Sequence, residues 1–311
     1  MTVAAPSSLQ VYSAEHTAAL LPFPALIDAL ADTLRHYEAG AIHSPERMVV
    51  PFDSAVLLSM PAVAKDIVAH KLITVQPANS ARALPAIHGL VTAFDAITGT
   101  PLFVLDGPEV TGRRTAAISM LGLRTLGPAA VRNILLYGTG TQAHYHLQAL
   151  ADCYPNSTVY IKGRTLENAQ TFCAQHETLP LQLHPIDDVM PDKIDVVITV
   201  TTSLQAIYDL PASPARLVIG VGAFRPEMAE IGANTLAGST LYVDDPVGAP
   251  HEAGDLMQAG VDWAQVRSLA SALDQQPDRT KPIVFKSVGT AAWDLAACRL
   301  VRQQLHSQTA T

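Results

Sequence analysis

The chain has 311 residues, 49% hydrophobic, 15% charged and 5% aromatic, a composition that excludes disorder and suits one large or two medium globular domains. Its 20 Lys and Arg against 28 Asp and Glu leave a net charge of -8, so the basic field that holds a nucleic-acid backbone is missing and no nucleic-acid partner is expected. No stretch approaches the roughly 18–20 apolar residues of a membrane span, and residues 1–10 lack the basic start and apolar run of a signal peptide; a soluble, cytoplasmic protein with no membrane partner is expected.

The first predicted element is an amphipathic helix over residues 25–39, where Leu26, Ala29, Leu30, Thr33, Leu34 and Tyr37 recur at helical spacing and Gly40 supplies a stop. Short β-rich runs follow at 48–52, 55–60, 69–75, 90–95 and 102–105, the last two joined by Asp95-Ala-Ile-Thr-Gly99. Asp and Gly suit a hairpin turn, so this region predicts an antiparallel sheet. A helix is expected from 111 to 126. An apolar strand over 131–137 then runs straight into Gly138-Thr139-Gly140-Thr141-Gln142-Ala143. A helix over 144–153, a strand over 158–161, a helix over 166–176 and strands at 194–200, 216–222 and 240–243 continue the alternation. That pattern predicts a parallel sheet covered on both faces, a Rossmann-type doubly wound domain over 120–289. The helical tail at 291–304 is too short to fold alone and is expected to pack on the N-terminal part. Cys153, Cys173 and Cys298 form no CxxC pair and read as reduced, structural thiols.

The motif Gly138-x-Gly140-x-x-Ala143 needs its residue types for physical reasons. The first glycine permits the strand-to-helix turn, the second lets a pyrophosphate approach backbone, and Ala143 packs closely while the helix aims its free N–H groups at the phosphates. The next strand ends in Lys162-Gly163-Arg164-Thr165, without the acid that would grip a ribose 2'-hydroxyl. Lys162, Arg164 and Thr165 suit a 2'-phosphate, so NADPH is favoured with NADH as the other choice; the same two cations also read as ordinary solvated charges. Arg47, Lys71 and Arg114 are each set in apolar sequence, where a cation needs an anion. Each singly suits a structural ion pair; together they suggest a pocket for a carboxylate.

On these residues the chain resembles the ornithine cyclodeaminase/mu-crystallin family of NAD(P)-dependent enzymes. The resemblance runs through Pro45-Glu-Arg47, Met60-Pro61-Ala62, His70-Lys71-Leu-Ile-Thr-Val, Asp95-Ala-Ile-Thr-Gly99-Thr-Pro101-Leu, Leu105-Asp106-Gly107, Arg114-Thr-Ala-Ala-Ile-Ser119, the Gly138–Ala143 turn, Gly222-Ala223-Phe-Arg225-Pro226 and Val284-Phe285-Lys286-Ser287-Val288-Gly289. It implies a homodimer in which residues 1–119 plus 290–311 form a discontinuous α+β domain for substrate and dimer contacts, with the Rossmann domain inserted. It also implies that Arg47, Lys71 and Arg114 hold the substrate carboxylate, that Thr201, Thr202, Val221 and Ser287 line the nicotinamide side, and that Glu252 lies near the ligand.

True ornithine cyclodeaminases resemble Gly-Gly-Asp-x-Pro-Gly-Lys where this chain reads Gly220-Val-Gly-Ala223-Phe-Arg-Pro226, so the amine-handling carboxylate is replaced by alanine. The resemblance therefore implies the branch that reduces cyclic ketimines. The expected substrates are delta-1-pyrroline-2-carboxylate, giving proline, and delta-1-piperideine-2-carboxylate, giving pipecolate. Lys71 and an ordered water are the two proton donors considered. Rival readings are an NAD(P)-dependent alanine or other amino-acid dehydrogenase, a cyclodeaminase, and a protein that holds NADPH and a small acid without turnover. His144 and His146, two apart on a helix, suit surface or cap roles and not one metal ion; no metal is expected. Glu109 reads as an ion-pair partner for Arg113 and Arg114.

Overall fold

Two kinds of apolar patterning, alternating and continuous, divide the chain into two units in the computed structural model, which describes residues 9–309. The first unit takes the chain up to Arg114 and again from Thr290 onward; the second runs from Thr115 to Gly289. Among the described residues the strands form one sheet of six and one of eight.

The first unit opens with β1 (Gln10–Val11), α1 (Ala14–Ala19) and α2 (Phe23–Glu38). Ser13 caps α1 by accepting the His16 N–H, and the apolar stripe of α2, including Leu26, Ile27, Leu30 and Leu34, is buried. The strands β2 (Met48–Phe52), β3 (Ala55–Val63), β4 (Ile67–Val75), β5 (Ile87–Asp95) and β6 (Pro101–Asp106) follow. They pair antiparallel in chain order, with β1 added parallel to the outer edge of β6. In the β5–β6 turn the Asp95 carboxylate accepts the Ile97 and Thr98 N–H groups, and Gly99 takes φ 71°. Alternation along β4 buries Ile67, Ala69, Lys71 and Ile73 on one face. A lysine in that row is the exception that marks the site. Helix α3 (Gly107–Leu126) begins in this unit and carries the chain into the second.

In the second unit β7 (Asn133–Tyr137), α4 (Thr141–Cys153), β8 (Thr158–Lys162), α5 (Leu166–Gln175), β9 (Gln182–Ile186), β10 (Val196–Thr199) and β11 (Leu217–Gly220) give the doubly wound alternation. The short helix α6 (Ala233–Ala237), β12 (Thr240–Val243), α7 (Ala249–Glu252), α8 (Gly254–Gln258), β13 (Arg267–Ser268), α9 (Leu269–Asp274) and β14 (Ile283–Lys286) complete it. All pairings are parallel, in the order β13-β12-β14-β11-β10-β7-β8-β9. Every residue of β10, β11 and β14 is buried, as a parallel sheet covered on both faces requires. The protein is thus an α/β protein with a Rossmann-type sheet. Among the described residues four strands escaped the sequence reading: β1 and β13 are two residues long, β9 is an edge strand with no buried residue and a proline, and β14 is four residues long and ends in Lys286.

Helix α10 (Ala291–Thr309) returns to the first unit, packing on α2, β3 and β4, with Trp293 edge-on to Tyr37 at 5.7 Å between ring centroids.

His146 corrects an expectation. It has no surface or cap role: it is fully buried, with Nδ1 against the Gln142 carbonyl at 2.7 Å and Nε2 against the Ser119 hydroxyl at 2.9 Å. Burial lowers its pKa to about 4, so it is neutral and holds α4 to α3. Its neighbour His144 pairs with His176 at 2.7 Å. Among the described residues no helix is long and apolar enough to cross a membrane.

Candidate functional site

The strand-to-helix turn of the second unit has the form its glycines call for. Gly138 takes φ 123°, where a side chain would be strained, and an added Cβ would meet Val200 at 3.0 Å. At Gly140, the N-cap of α4, an added Cβ would meet nothing within 4 Å: the backbone there faces open space. No side chain caps α4, so its first-turn N–H groups and positive dipole end suit an anion. Ala143 is fully buried, while Thr141 is exposed and Gln142 half-buried. A cavity of about 640 Å³ opens here, lined among others by Gly138, Thr139, Gly140, Arg164, Thr201 and Thr202. An open glycine turn, an uncapped helix start and a cavity of this size fit a dinucleotide.

At the rim of that cavity the cations differ. Lys162 is tied to Asp188 at 2.9 Å and lies 5.9 Å from the centre of the Tyr137 ring, whereas Arg164 is exposed. The Thr165 hydroxyl caps α5, accepting the Asn168 N–H and donating to the Asn168 side chain.

Deeper in the second unit stand carboxylates that the sequence reading missed. Glu230, fully buried, accepts the backbone N–H groups of Thr201, Gly222 and Ala223 and the hydroxyls of Thr199 and Thr201. It thereby fastens the ends of β10 and β11 to each other. Asp255 accepts the N–H of Glu230 and of Ile231 and pairs with Lys286 of β14 at 2.7 Å, both side chains being at most 1% exposed. Asp244 accepts the Ser287 hydroxyl and the N–H groups of Val288 and Gly289. The Thr201 and Ser287 side chains thus serve the loop scaffold, and Val221, just after β11, is buried and donates its N–H to the Thr199 carbonyl. Glu252 lies at the end of α7. Glu230 and Asp255 could have been found from their setting, since each is an acid amid small and apolar residues.

The first unit gathers the sequence-predicted cations around one acid. Lys71 on β4 places Nζ 2.7 Å from one oxygen of Asp294, and Nε of Arg114 on α3 lies 3.5 Å from the other. Lys71 is 1% exposed, Asp294 0% and Arg114 7%. Burial lowers the Lys71 pKa to about 8; Asp294 opposes that shift, and the positive charges of Arg114 and Arg47 add to it. Arg47, half-buried just before β2, is therefore within electrostatic reach of Lys71. Glu109 pairs with Arg113 at 2.8 Å. Asp294 sits in Ala-Ala-Trp-Asp294-Leu-Ala-Ala, an acid in an apolar helix face, the same signal that singled out the cations. The arrangement is a water-poor cluster with more positive than negative charge, suited to one more carboxylate.

A model of the ornithine cyclodeaminase/mu-crystallin family matches residues 9–309. The chain is 52% identical over 306 residues to the Delta(1)-pyrroline-2-carboxylate/Delta(1)-piperideine-2-carboxylate reductase of Azospirillum brasilense, covering 98% of each chain. It is 31% identical over 287 residues to the ketimine reductase mu-crystallin of Mus musculus, covering 90% of this chain and 91% of that one. Among solved structures, Delta(1)-pyrroline-2-carboxylate reductase of Thermococcus litoralis, in complex with NADH and L-proline, superposes with a TM-score of 0.86 at 21% identity, covering 97% and 98% of the two chains. At that identity the likeness is one of fold.

Proposed function

The chain belongs to the ornithine cyclodeaminase/mu-crystallin family, and we propose that within it the protein is an NAD(P)H-dependent reductase of cyclic ketimines. It converts delta-1-pyrroline-2-carboxylate to L-proline and delta-1-piperideine-2-carboxylate to L-pipecolate. The observation that carries this reading is the 52% identity, along 98% of both chains, with a reductase named for those two substrates. The buried Lys71–Asp294–Arg114 cluster and the glycine-turned cavity supply the two chemistries such a reaction needs.

When bound, the reduced nicotinamide supplies a hydride for the C=N carbon. Arg47, Lys71 and Arg114 take the substrate carboxylate and fix the ring, which makes the reaction effectively unimolecular. A protonated imine accepts hydride far better than a neutral one. An ammonium has three N–H donors, of which contact with Asp294 occupies one, so Lys71 can hand a proton to the ring nitrogen and regain it from water. The Glu230 clamp keeps the Thr201 and Ala223 loops in place. With alanine at 223, no carboxylate from that position handles an amine, which favours reduction over cyclodeamination.

NADPH is the preferred coenzyme and NADH the lesser one. Supporting this are Lys162 and Arg164 on the cavity wall and the lack of an acid between Lys162 and Thr165. The protein works as a homodimer through the outer face of the six-stranded sheet. There Met48, Ser59, Leu72 and Leu90 follow one another across the register and Val50 flanks them, and Met48, Val50, Leu72 and Leu90 are each more than 40% exposed. The setting is the cytoplasm, where reduced nicotinamide is at hand and the free thiols of Cys153, Cys173 and Cys298 stay reduced.

The test is oxidation of NADPH and of NADH with the five-ring imine, the six-ring imine, and pyruvate plus ammonia. Turnover of the imines with preference for NADPH is expected. Turnover with pyruvate and ammonia alone would make the protein an amino-acid dehydrogenase, and tight NADPH binding with no turnover a binding protein.

A further inference from the structure

From the geometry of the first unit we infer that Asp294 is a positioning residue for the reduction, holding Lys71 as an ammonium and aiming it and Arg114 at the substrate. This rests on the ketimine-reductase reading and extends it to a residue on α10 that neither binds coenzyme nor carries positive charge.

The two oxygens of Asp294 are divided between two elements, one to Lys71 on β4 at 2.7 Å and the other to Nε of Arg114 on α3 at 3.5 Å. Facing Arg114 through Nε leaves the outer edge of the guanidinium, the edge that grips a carboxylate in bidentate fashion, turned elsewhere. One acid thus sets the direction of both cations. The helix has no other reason to hold a charge there: residues 291–298 are otherwise Ala, Trp, Leu and Cys, and all are buried. A lone carboxylate in that setting is costly unless paired.

The surroundings of Lys71 leave Asp294 as the group that keeps it charged. The neighbouring strands place apolar Met60 and Val91 opposite it in the register. Arg114 on α3 and Arg47 ahead of β2 are both positive and push its proton off, as does burial; on α10, Asp294 alone pulls the other way, and the Cys298 thiol one turn on is held neutral by burial, its pKa raised. With Asp294 in place the Lys71 pKa stands at about 8, so at neutral pH the amine is mostly an ammonium, able both to bind a carboxylate and to give up a proton. Without it three depressing influences act unopposed.

The experiment is the pH dependence of imine reduction by the full-length protein and by Asp294→Asn, with coenzyme affinity measured alongside. Wild-type kcat/KM is expected to fall above about pH 8 as Lys71 loses its proton. In Asp294→Asn that limb moves down by about one unit or more, so the loss is at least roughly five-fold at pH 8, approaches ten-fold above it and shrinks as the pH is lowered and Lys71 recharges. Coenzyme affinity stays as in wild type. A loss of equal size at every pH, or no loss, overturns the inference. Should Asp294→Asn not fold, Asp294→Glu carries the test: it keeps the charge but is too long to serve both cations as Asp294 does, so KM for the imine rises several-fold with the pH limb in place. An unchanged KM, or a displaced limb, then overturns the inference. Wild-type protein inactive on both imines at every pH would instead remove the ketimine-reductase reading on which this rests.

Discussion

Each unit brings a carboxylate to within 3 Å of a lysine ammonium, but the two pairs sit in opposite surroundings. Lys71 and Asp294, at 2.7 Å, are 1% and 0% exposed; Lys162 and Asp188, at 2.9 Å, are 22% and 102% exposed. Distance is nearly the same, so the solvent decides what each pair does. In the first unit, where water is scarce, the field is strong, the lysine pKa drops to about 8, and any further charge brought to the cluster is felt strongly. At the rim of the second, water and salt screen the pair, and it can bias a choice between coenzymes without holding one. The proposed catalysis calls for the first setting, and the proposed coenzyme preference is served by the second.

The sharpest way to break the contrast is to remove the buried cation. Lys71→Met should cost about 3–5 kcal/mol of transition-state binding, a fall of roughly 10²–10⁴-fold in kcat/KM for the imine, with NADPH affinity unchanged by titration calorimetry. A fall of less than ten-fold would place Lys71 outside the chemistry. A buried pair with no substrate to bind separates burial from catalysis: Lys286→Met strands Asp255 and should lower stability by about 3–5 kcal/mol in denaturant unfolding. A change under 1 kcal/mol would mean that Asp255 is held well enough by its two backbone donors.

At the exposed rim the effects shrink. Arg164→Ala removes a cation free to meet a 2'-phosphate, and the ratio of kcat/KM for NADPH over NADH should drop roughly ten-fold through the NADPH arm. Smallest is Asp188→Asn, which releases Lys162 from its carboxylate. The same ratio should rise about two- to five-fold at low ionic strength and return toward the wild-type value in salt. A salt-independent rise would show that the rim is less wet than its exposure implies.

How much of this was legible beforehand differs by region for the same physical reason. The glycine turn, the strand before it and the helix after it are local: Gly138 needs its φ of 123° and Gly140 its open face because of chain geometry over six residues, and six residues can be read directly. The cations of the first unit were also visible, since a lysine within His-Lys71-Leu-Ile is out of place on any sheet. Their counter-ion was not found, because Asp294 belongs to a helix at the far end of the chain. His146 went the same way: its helix position says which side it faces but not that Ser119 waits there. The acids Glu230, Asp244 and Asp255 tie together the ends of strands that are neighbours only in the folded sheet.

The sequence by itself determined the alternation that makes a doubly wound sheet, the glycine turn and the presence of three ill-placed cations, because periodicity, glycine and charge act through the chain's nearest neighbours. Only the tertiary structure decided which carboxylate faces which cation and how dry each pair is. Ion pairs take their strength from the medium, and the medium around Lys71 is assembled from β4, α3 and α10, segments that meet only when the chain has folded.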